Sequence, residues 1–169
     1  MKIDPKLHYG THLPVLMKAM SITDGPVVEL GSGMFSTPYL HWECLRTNRC
    51  LTTYESKPDF YELFRKYAMN LHKIIFVTDW NNIDLSVPWS VALVDHSPGD
   101  RRGLELKKLT HVDYVVVHDM MNLGHKNYGY LEVLDRFKYF HRFKRLHGSR
   151  VYTGILSNSH DLREFTVLS

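Results

Sequence analysis

The sequence predicts an α/β protein, a three-layer αβα sandwich in which a mostly parallel sheet is closed by an antiparallel C-terminal hairpin. Short apolar runs alternate with amphipathic stretches along the first two thirds of the chain, which is typical of βαβ units. These runs are almost continuously apolar, as in strands that helices cover on both faces. The last third carries an aromatic stretch over residues 137–143, which favours an extended strand and, with residues 151–156, a hairpin.

Each element follows from local features. Five runs rich in β-branched and aliphatic residues are the candidate parallel strands, at residues 27–30, 50–54, 74–77, 91–94 and 114–117. Four helices are predicted, at residues 11–20 with Thr11 as cap, from Ser36 or Thr37 onwards, from 58 onwards and at 103–109. The first three have a proline near their start, where its missing N–H is tolerated. A further helix is predicted near 130–135, and a turn at 147–149 joins the hairpin strands.

Length and composition narrow the class of protein. A chain of 169 residues suits one domain spanning 1–169, and 44% hydrophobic with 23% charged residues exclude collagen-like and disordered chains. No apolar run approaches the ~18 residues of a membrane span, and the first twenty residues lack the apolar stretch of a signal peptide. Two cysteines fit a reduced compartment, so we expect a cytoplasmic protein. A net charge of +3 is too small to indicate a nucleic-acid partner, and the basic stretch at 136–150 is interpreted as a solvated face.

Acidic residues follow four consecutive predicted strands. Glu55, Asp79, Asp95 and Asp119 stand at or just after the strand ends, and Glu29 lies in the first strand. Because ligands of open α/β sheets bind outside the carboxyl ends of the strands, these acids are expected to converge on one site. The series therefore predicts a functional site at this edge of the sheet.

A glycine loop follows the first predicted strand. Gly31 and Gly33 allow a tight turn and a close approach of the backbone to a ligand. A dinucleotide site usually has a third glycine where Ser36 stands, and an acid beside the loop would repel a pyrophosphate. The loop with Glu29 therefore favours a ligand with an ammonium group over a nicotinamide dinucleotide.

Together these motifs resemble the class I S-adenosylmethionine-dependent methyltransferases over roughly residues 11–157. That family has an acid followed by Gly-x-Gly after its first strand, an acid at the end of the second and another acid after the third. The resemblance implies a Rossmann-like fold, S-adenosyl-L-methionine as cofactor, and a cofactor site formed by Glu29, Gly31, Ser32, Gly33, Glu55, Ser56, Asp79, Trp80, Asp95 and His12. In it, Glu29 would meet the ammonium group, Glu55 the ribose hydroxyls, and Trp80 would stack near the adenine.

Within this family the ends of strands four and five look similar to those of the metal-dependent, catechol-type O-methyltransferases. Asp95 and Asp119 match two of their Mg²⁺ ligands. However, Met120 stands where the family has an Asn, and Pro98 stands where it has a basic Lys. We predict no metal ligands; Mg²⁺ at the two acids is left open, beside positioning of a substrate or capping of the next helix. His8 and His12 are four residues apart, but Pro5 and Gly10 weaken a shared helix, so zinc is not predicted there.

The sequence predicts methyl transfer to a small-molecule acceptor, with an oxygen acceptor favoured over nitrogen. An oxygen nucleophile must lose its proton, and Asp95 and His96 are the candidate catalytic residues for that step. The aromatic hairpin is expected to be core or a subunit interface of a homodimer, and residues 124–129 a mobile gate. Three alternatives stay open: a protein that binds the cofactor without transferring methyl, an enzyme that cleaves the cofactor, and a nicotinamide-dependent oxidoreductase.

Overall fold

Seven strands form one sheet in the computed structural model, which describes residues 6–121, 128–144 and 151–167. They are β1 (Val27–Leu30), β2 (Leu51–Glu55), β3 (His72–Phe76), β4 (Val91–Val94), β5 (Tyr114–Val117), β6 (Tyr139–Phe143) and β7 (Thr153–Ser157). Their order across the sheet is β3-β2-β1-β4-β5-β7-β6. The first five strands are parallel, and β7 runs antiparallel to both β5 and β6. The predicted sheet and its closing hairpin are confirmed; the predicted turn at 147–149 lies outside the described residues.

Four α-helices accompany the sheet in the described part of the chain. They are α1 (Leu13–Ser21), α2 (Ser36–Arg46), α3 (Pro58–Phe64) and α4 (Arg102–Lys108). The predicted side-chain caps of α1 and α2 are wrong, because those hydroxyls have other partners. Thr11 donates to the His8 carbonyl, and Thr37 donates to Glu29. Both helices begin without a side-chain cap.

The helix predicted near residues 130–135 is also wrong. Only a 3₁₀ turn over Leu134–Arg136 forms there. Six residues are less than two helical turns, too few for a helix to be stable by itself. The buried Tyr130 instead donates its hydroxyl to the His118 carbonyl, and irregular backbone places Val133 and Phe137 in the core.

Alternate strand residues build one hydrophobic cluster on each face of the sheet. Val27, Val91 and Leu93 pack with α1 and α2 on one face. Val28, Ala92 and Val94 pack on the other face against α4 and the segments that follow β3 and β5. Because both faces are covered, the inner strands β1, β2, β4, β5 and β7 are buried along their length, and the three predicted layers are confirmed. None of the helices in the described ranges has the length and hydropathy needed to traverse a lipid bilayer.

The chain reverses its direction of travel across the sheet between β1 and β4. From β1 it proceeds outward through β2 to β3, and it then returns to place β4 on the other side of β1. The loops after β1 and β4 therefore diverge and leave a crevice at the carboxyl ends of these strands.

Candidate functional site

A cavity of about 580 Å³ occupies this crevice. Its floor is the glycine loop after β1, and its sides are the ends of β2, β4 and β5 with the N-terminal segment. The lining residues include Lys6, His8, Tyr9, His12, Gly31, Ser32, Gly33, Glu55, Asp95, His96, Arg102, His118 and Asp119. Seven of the sequence-predicted site residues thus share one cavity. Glu29, Ser56, Asp79 and Trp80 do not line it.

The glycine loop is fixed by its contact with the end of β4. Gly31 has a φ of +90°, and a Cβ atom there would lie 2.6 Å from the Cα atom of His96. A side chain is therefore excluded both by conformation and by space. The Gly31 N–H donates to the Tyr54 carbonyl at 2.8 Å, which continues the pairing of β1 with β2 into the loop.

Glu55 connects the end of β2 to this loop. Its Oε2 atom accepts hydrogen bonds from the backbone N–H and the hydroxyl of Ser32, at 2.8 and 2.7 Å. Its Oε1 atom accepts from the Lys57 N–H at 2.7 Å. The carboxylate is only 3% exposed, yet it lines the cavity. It is thus held in one orientation at the place where the sequence predicts a partner for a diol.

Glu29 lies beneath the loop instead of beside the ligand space. It is fully buried, and its carboxylate accepts from the hydroxyls of Thr37 and Thr53 at 2.9 and 2.8 Å. Thr37 in turn accepts from the Gly33 N–H at 2.9 Å. Burial raises the pKa of Glu29 to about 7, against the opposing effect of these hydroxyl donors. Its contacts therefore support the loop from below.

The acid and the aromatic residue after β3 lie outside the cavity wall. Asp79 is exposed and accepts from the Asn81 N–H at 2.9 Å, which begins a 3₁₀ turn. Trp80 is 5% exposed, and its indole N–H donates to the Ser97 carbonyl at 3.1 Å. The Ser56 hydroxyl donates to the same carbonyl at 2.7 Å. Trp80 and Ser56 thus hold the segment after β4 in place.

Asp95 and Asp119 share one buried guanidinium. Arg102, the first residue of α4, places Nη2 2.8 Å from Asp95 Oδ1 and Nη1 3.2 Å from Asp119 Oδ2. Its Nε–H donates to the His96 carbonyl at 2.9 Å. A fixed positive group thus bridges the two carboxylates that could have ligated Mg²⁺. Because this guanidinium already supplies the charge between them, the pair does not fit a Mg²⁺ ion.

The second oxygen of Asp95 faces a histidine. Asp95 Oδ2 lies 3.1 Å from His118 Nδ1. Burial acts to raise the pKa of Asp95, but His118 and Arg102 outweigh it and hold that pKa well below its usual range. Burial likewise acts to lower the pKa of His118, and Asp95 and Asp119 outweigh it and raise that pKa. The carboxylate is therefore a weak base at neutral pH.

His96 packs within the wall between the loop and α4. It is 1% exposed, its ring centroid lies 4.1 Å from that of Trp80, and its Nε2 atom is 3.3 Å from Glu105 Oε2 without hydrogen-bond alignment. Burial lowers the pKa of His96, against the effect of Glu105. The imidazole is therefore neutral at neutral pH and able to accept a proton.

Sequence reasoning missed two members of the site. Arg102 stands in an Asp-Arg-Arg-Gly run, and nothing in the run distinguishes the buried Arg102 from its half-buried neighbour Arg101. His118 precedes Asp119 in the sequence, and no pattern marks it as a site residue. A local signal does exist in the backbone: Asp119 has a φ of +60°, a conformation that non-glycine residues seldom adopt and that is enriched at functional sites.

Comparisons with known proteins agree on the fold. No protein-family model matches the chain, and no curated protein matches it in sequence. Among solved structures, cofactor-bound Rv0187 from MTB covers 95% of this chain and 84% of its own, with 12% identity and a TM-score of 0.67. An O-methyltransferase from Bacillus cereus in complex with SAH covers 92% and 82%, with 11% identity and a TM-score of 0.61.

A third similar structure is human methyltransferase-like protein 13 in complex with SAH. It covers 98% of this chain and 86% of its own, with 16% identity and a TM-score of 0.60. These likenesses extend over nearly the whole chain and agree with the observed strand order. The chain therefore has the fold of the class I S-adenosylmethionine-dependent methyltransferases.

Proposed function

We propose that this chain transfers a methyl group from S-adenosylmethionine to a small-molecule acceptor, and that the acceptor atom is an oxygen. One observation carries the proposal. The buried carboxylate of Glu55 is fixed against the glycine loop and lines the same cavity as Asp95 and His96. A cofactor held by its ribose at Glu55 would lie across the loop and direct its other end towards the termini of β4 and β5.

The residues around the loop fit this cofactor. A carboxylate has about four positions for donors, and Ser32 and Lys57 occupy three of those on Glu55, which leaves one for a ribose hydroxyl. Glu29 would contribute by holding the loop through Thr37, and not by contact with the ammonium group. When bound, the cofactor supplies a methyl group that is already activated by the sulfonium.

The protein's part in the reaction is alignment and removal of a proton. Alignment of two reactants in a closed site supplies much of the acceleration of such transfers. A hydroxyl acceptor must also lose its proton, and the neutral His96 is the proposed base. Asp95 would act as a positioning residue, since Arg102 and His118 occupy its two oxygens.

The size of the cavity supports a small acceptor. About 580 Å³ must hold both the cofactor and the acceptor, and volumes of this order suit ligands of drug size. Oxygen is favoured because the end of β4, Asp95-His96-Ser97-Pro98, lacks the acid-or-Asn-Pro-Pro-aromatic signature of amino-methylating members of the family.

The test begins with binding and proceeds to turnover. Thermal-shift and calorimetric titrations with S-adenosylmethionine and S-adenosylhomocysteine are compared with the same titrations using NADH. We expect saturable stabilisation by the two adenosyl ligands only. Protein with methyl-labelled cofactor is then incubated with panels of phenols, catechols, carboxylic acids and amines, and labelled products are identified by mass spectrometry.

Each outcome of that experiment separates the open functions. Labelled O-methyl product confirms the proposal, and labelled N-methyl product corrects the acceptor atom. Binding without transfer to any acceptor would favour a protein that only holds the cofactor. Loss of cofactor in the absence of acceptor would indicate cleavage. Stabilisation by NADH alone would overturn the assignment of the cofactor.

A further inference from the structure

Two histidines and an aspartate converge in the wall of the cavity. His12 lies just before α1, Asp95 follows β4, and His118 follows β5. One ligating atom from each lies within 4.8 Å of the others. All three line the cavity. They are therefore close in space although more than eighty residues separate His12 from Asp95.

His12 is buried without a hydrogen bond. Its side chain is 2% exposed, and neither ring nitrogen meets a hydrogen-bond partner among residues 6–121, 128–144 and 151–167. Its ring stands edge-on to that of His118, with centroids 5.0 Å apart. Most buried polar side chains are hydrogen-bonded, because loss of water without a replacement is costly. An unpartnered imidazole facing a cavity thus has a lone pair free for a ligand.

The hydrogen bonds of His118 fix which of its nitrogens faces Asp95. The Thr11 hydroxyl donates its proton to the His8 carbonyl at 3.0 Å, so it can only accept from His118 Nε2, which lies 2.9 Å away. Nε2 therefore carries a hydrogen, and Nδ1 is directed towards Asp95 Oδ2. Metal-ligating histidines usually show this pattern, in which one nitrogen is held by a carbonyl or hydroxyl and the other faces the metal.

Asp95 is oriented in the same manner. Arg102 holds its Oδ1 atom at 2.8 Å and leaves Oδ2 towards His118. We propose that His12, Asp95 Oδ2 and His118 Nδ1 bind a divalent first-row transition-metal ion, with Zn²⁺ as the representative. Two nitrogens and one oxygen suit such ions, whereas Mg²⁺ prefers oxygen ligands only. The remaining positions of the ion would open into the cavity.

The three ligating atoms need to move only slightly closer together to bind an ion. Zinc–ligand bonds of about 2.0–2.1 Å in a tetrahedral site place neighbouring ligand atoms about 3.3 Å apart. Asp95 Oδ2 and His118 Nδ1 are already at 3.1 Å. No hydrogen bond restrains the His12 side chain among the described residues. Its rotation would bring one of its ring nitrogens to the same distance from the other two ligating atoms. Binding would displace the proton between His118 and Asp95.

This site differs from the Mg²⁺ site considered for Asp95 and Asp119. It uses the other oxygen of Asp95, replaces Asp119 with two imidazoles, and leaves Arg102 in place. The inference goes beyond the proposed function and does not depend on it, because the ion can be titrated without cofactor or acceptor.

Cobalt is the probe for the test. The full chain is freed of metal with a chelator, the chelator is removed, and Co²⁺ is added while the visible spectrum is recorded. We expect one equivalent to give the intense absorption of a four- or five-coordinate ion, displaced by Zn²⁺ and not by Mg²⁺. If the spectrum recorded with the wild-type protein remains that of hydrated Co²⁺, the proposal is overturned.

Variants assign the ligands. His12→Gln and Asp95→Asn should each weaken Co²⁺ binding by about tenfold or more. The control is His111→Gln, which changes an exposed histidine outside the cluster and should leave Co²⁺ binding unchanged. Circular dichroism of the metal-free variants checks that they fold. Tight binding that survives in both His12→Gln and Asp95→Asn would place the ion elsewhere. The cofactor titrations use the metal-free wild-type protein, so a failure of either proposal is recognised separately.

Discussion

Removal of the Glu55 carboxylate tests the cofactor proposal most directly. If the one donor position left open on this carboxylate accepts a ribose hydroxyl, the lost interaction is a hydrogen bond to a charged group. Such a bond is worth about 1.5–3 kcal/mol, which corresponds to a loss of affinity of about 10–150-fold. We therefore expect Glu55→Ala to weaken cofactor binding within that range.

The assay is calorimetric titration with S-adenosylhomocysteine, which cannot transfer a methyl group. Glu55→Gln keeps the size of the side chain and one acceptor oxygen, so its loss should be smaller than that of Glu55→Ala. Glu62→Gln is the matched control, because Glu62 is an exposed carboxylate on the neighbouring α3 that pairs only with Arg65 at 2.7 Å in the described structure. It should bind as the wild type does.

Two results would refute this reasoning. Unchanged affinity in a folded Glu55→Ala protein would remove the carboxylate from the cofactor site. A Ser32→Ala variant that reproduces the whole loss would show that Glu55 acts through the hydrogen bond from the Ser32 hydroxyl, which fixes the loop. In the second case the carboxylate is a positioning residue and does not contact the cofactor.

Three further predictions concern the scaffold of the site. Gly31→Ala should abolish cofactor binding and lower the midpoint of thermal unfolding, whereas Gly33→Ala, whose added methyl meets only a movable hydroxyl, should do so much less. Burial and the neighbouring imidazole lower the pKa of His72 from 6.5 to about 4, so the unfolded chain takes up its proton first and stability is lost as the pH falls from 6.5 to 4. In urea titrations His72→Gln should reduce the slope of stability against pH in that window by up to about 1.4 kcal/mol per pH unit, and parallel curves would contradict this. Arg102→Met should lower the free energy of unfolding by about 3–5 kcal/mol, because two carboxylates lose their shared partner, and a loss below about 1 kcal/mol would contradict it.

The strands were predictable because their signal is local. Continuous apolar runs at 27–30, 91–94 and 114–117 became β1, β4 and β5 with the predicted bounds, since burial on both faces demands such runs. The ends of β2 and β3 moved by one or two residues, where pairing with neighbouring strands decides the boundary. The helix caps failed because a hydroxyl next to a helix start has other partners, and only the fold shows which partner it takes.

The convergence of acids at the sheet edge was predictable, but their partners were not. Strand order places the ends of β1, β2, β4 and β5 together, so Glu55, Asp95 and Asp119 meet in one cavity. Arg102 and His118 contact these acids, although no periodic signal in the sequence marks either residue. A buried charge pair depends on which side chain the tertiary structure turns inward, and a sequence pattern does not encode that choice.

The two glutamates beside the glycine loop show why residue type alone does not decide a role. Glu29 precedes the loop and Glu55 ends β2, and both positions are typical of ligand-binding acids. Glu55 lines the cavity and accepts two backbone N–H bonds, whereas Glu29 is enclosed and accepts only from hydroxyls in the described structure. The environment separates the two carboxylates into one that can meet a ligand and one that supports the loop.

The support that Glu29 gives extends beyond the loop, because its hydrogen bonds set the direction of a buried chain. Thr53 donates to Glu29 Oε2, so it must accept from His72 Nε2, which lies 2.9 Å away. His72 Nδ1 then lacks a hydrogen and accepts from His41 Nδ1 at 3.0 Å. One buried carboxyl group thereby fixes the tautomers of two histidines and ties the glycine loop, β2, β3 and α2 into a single polar network. An acid that orders four elements in this way is required for the shape of the site whether or not it ever touches a ligand.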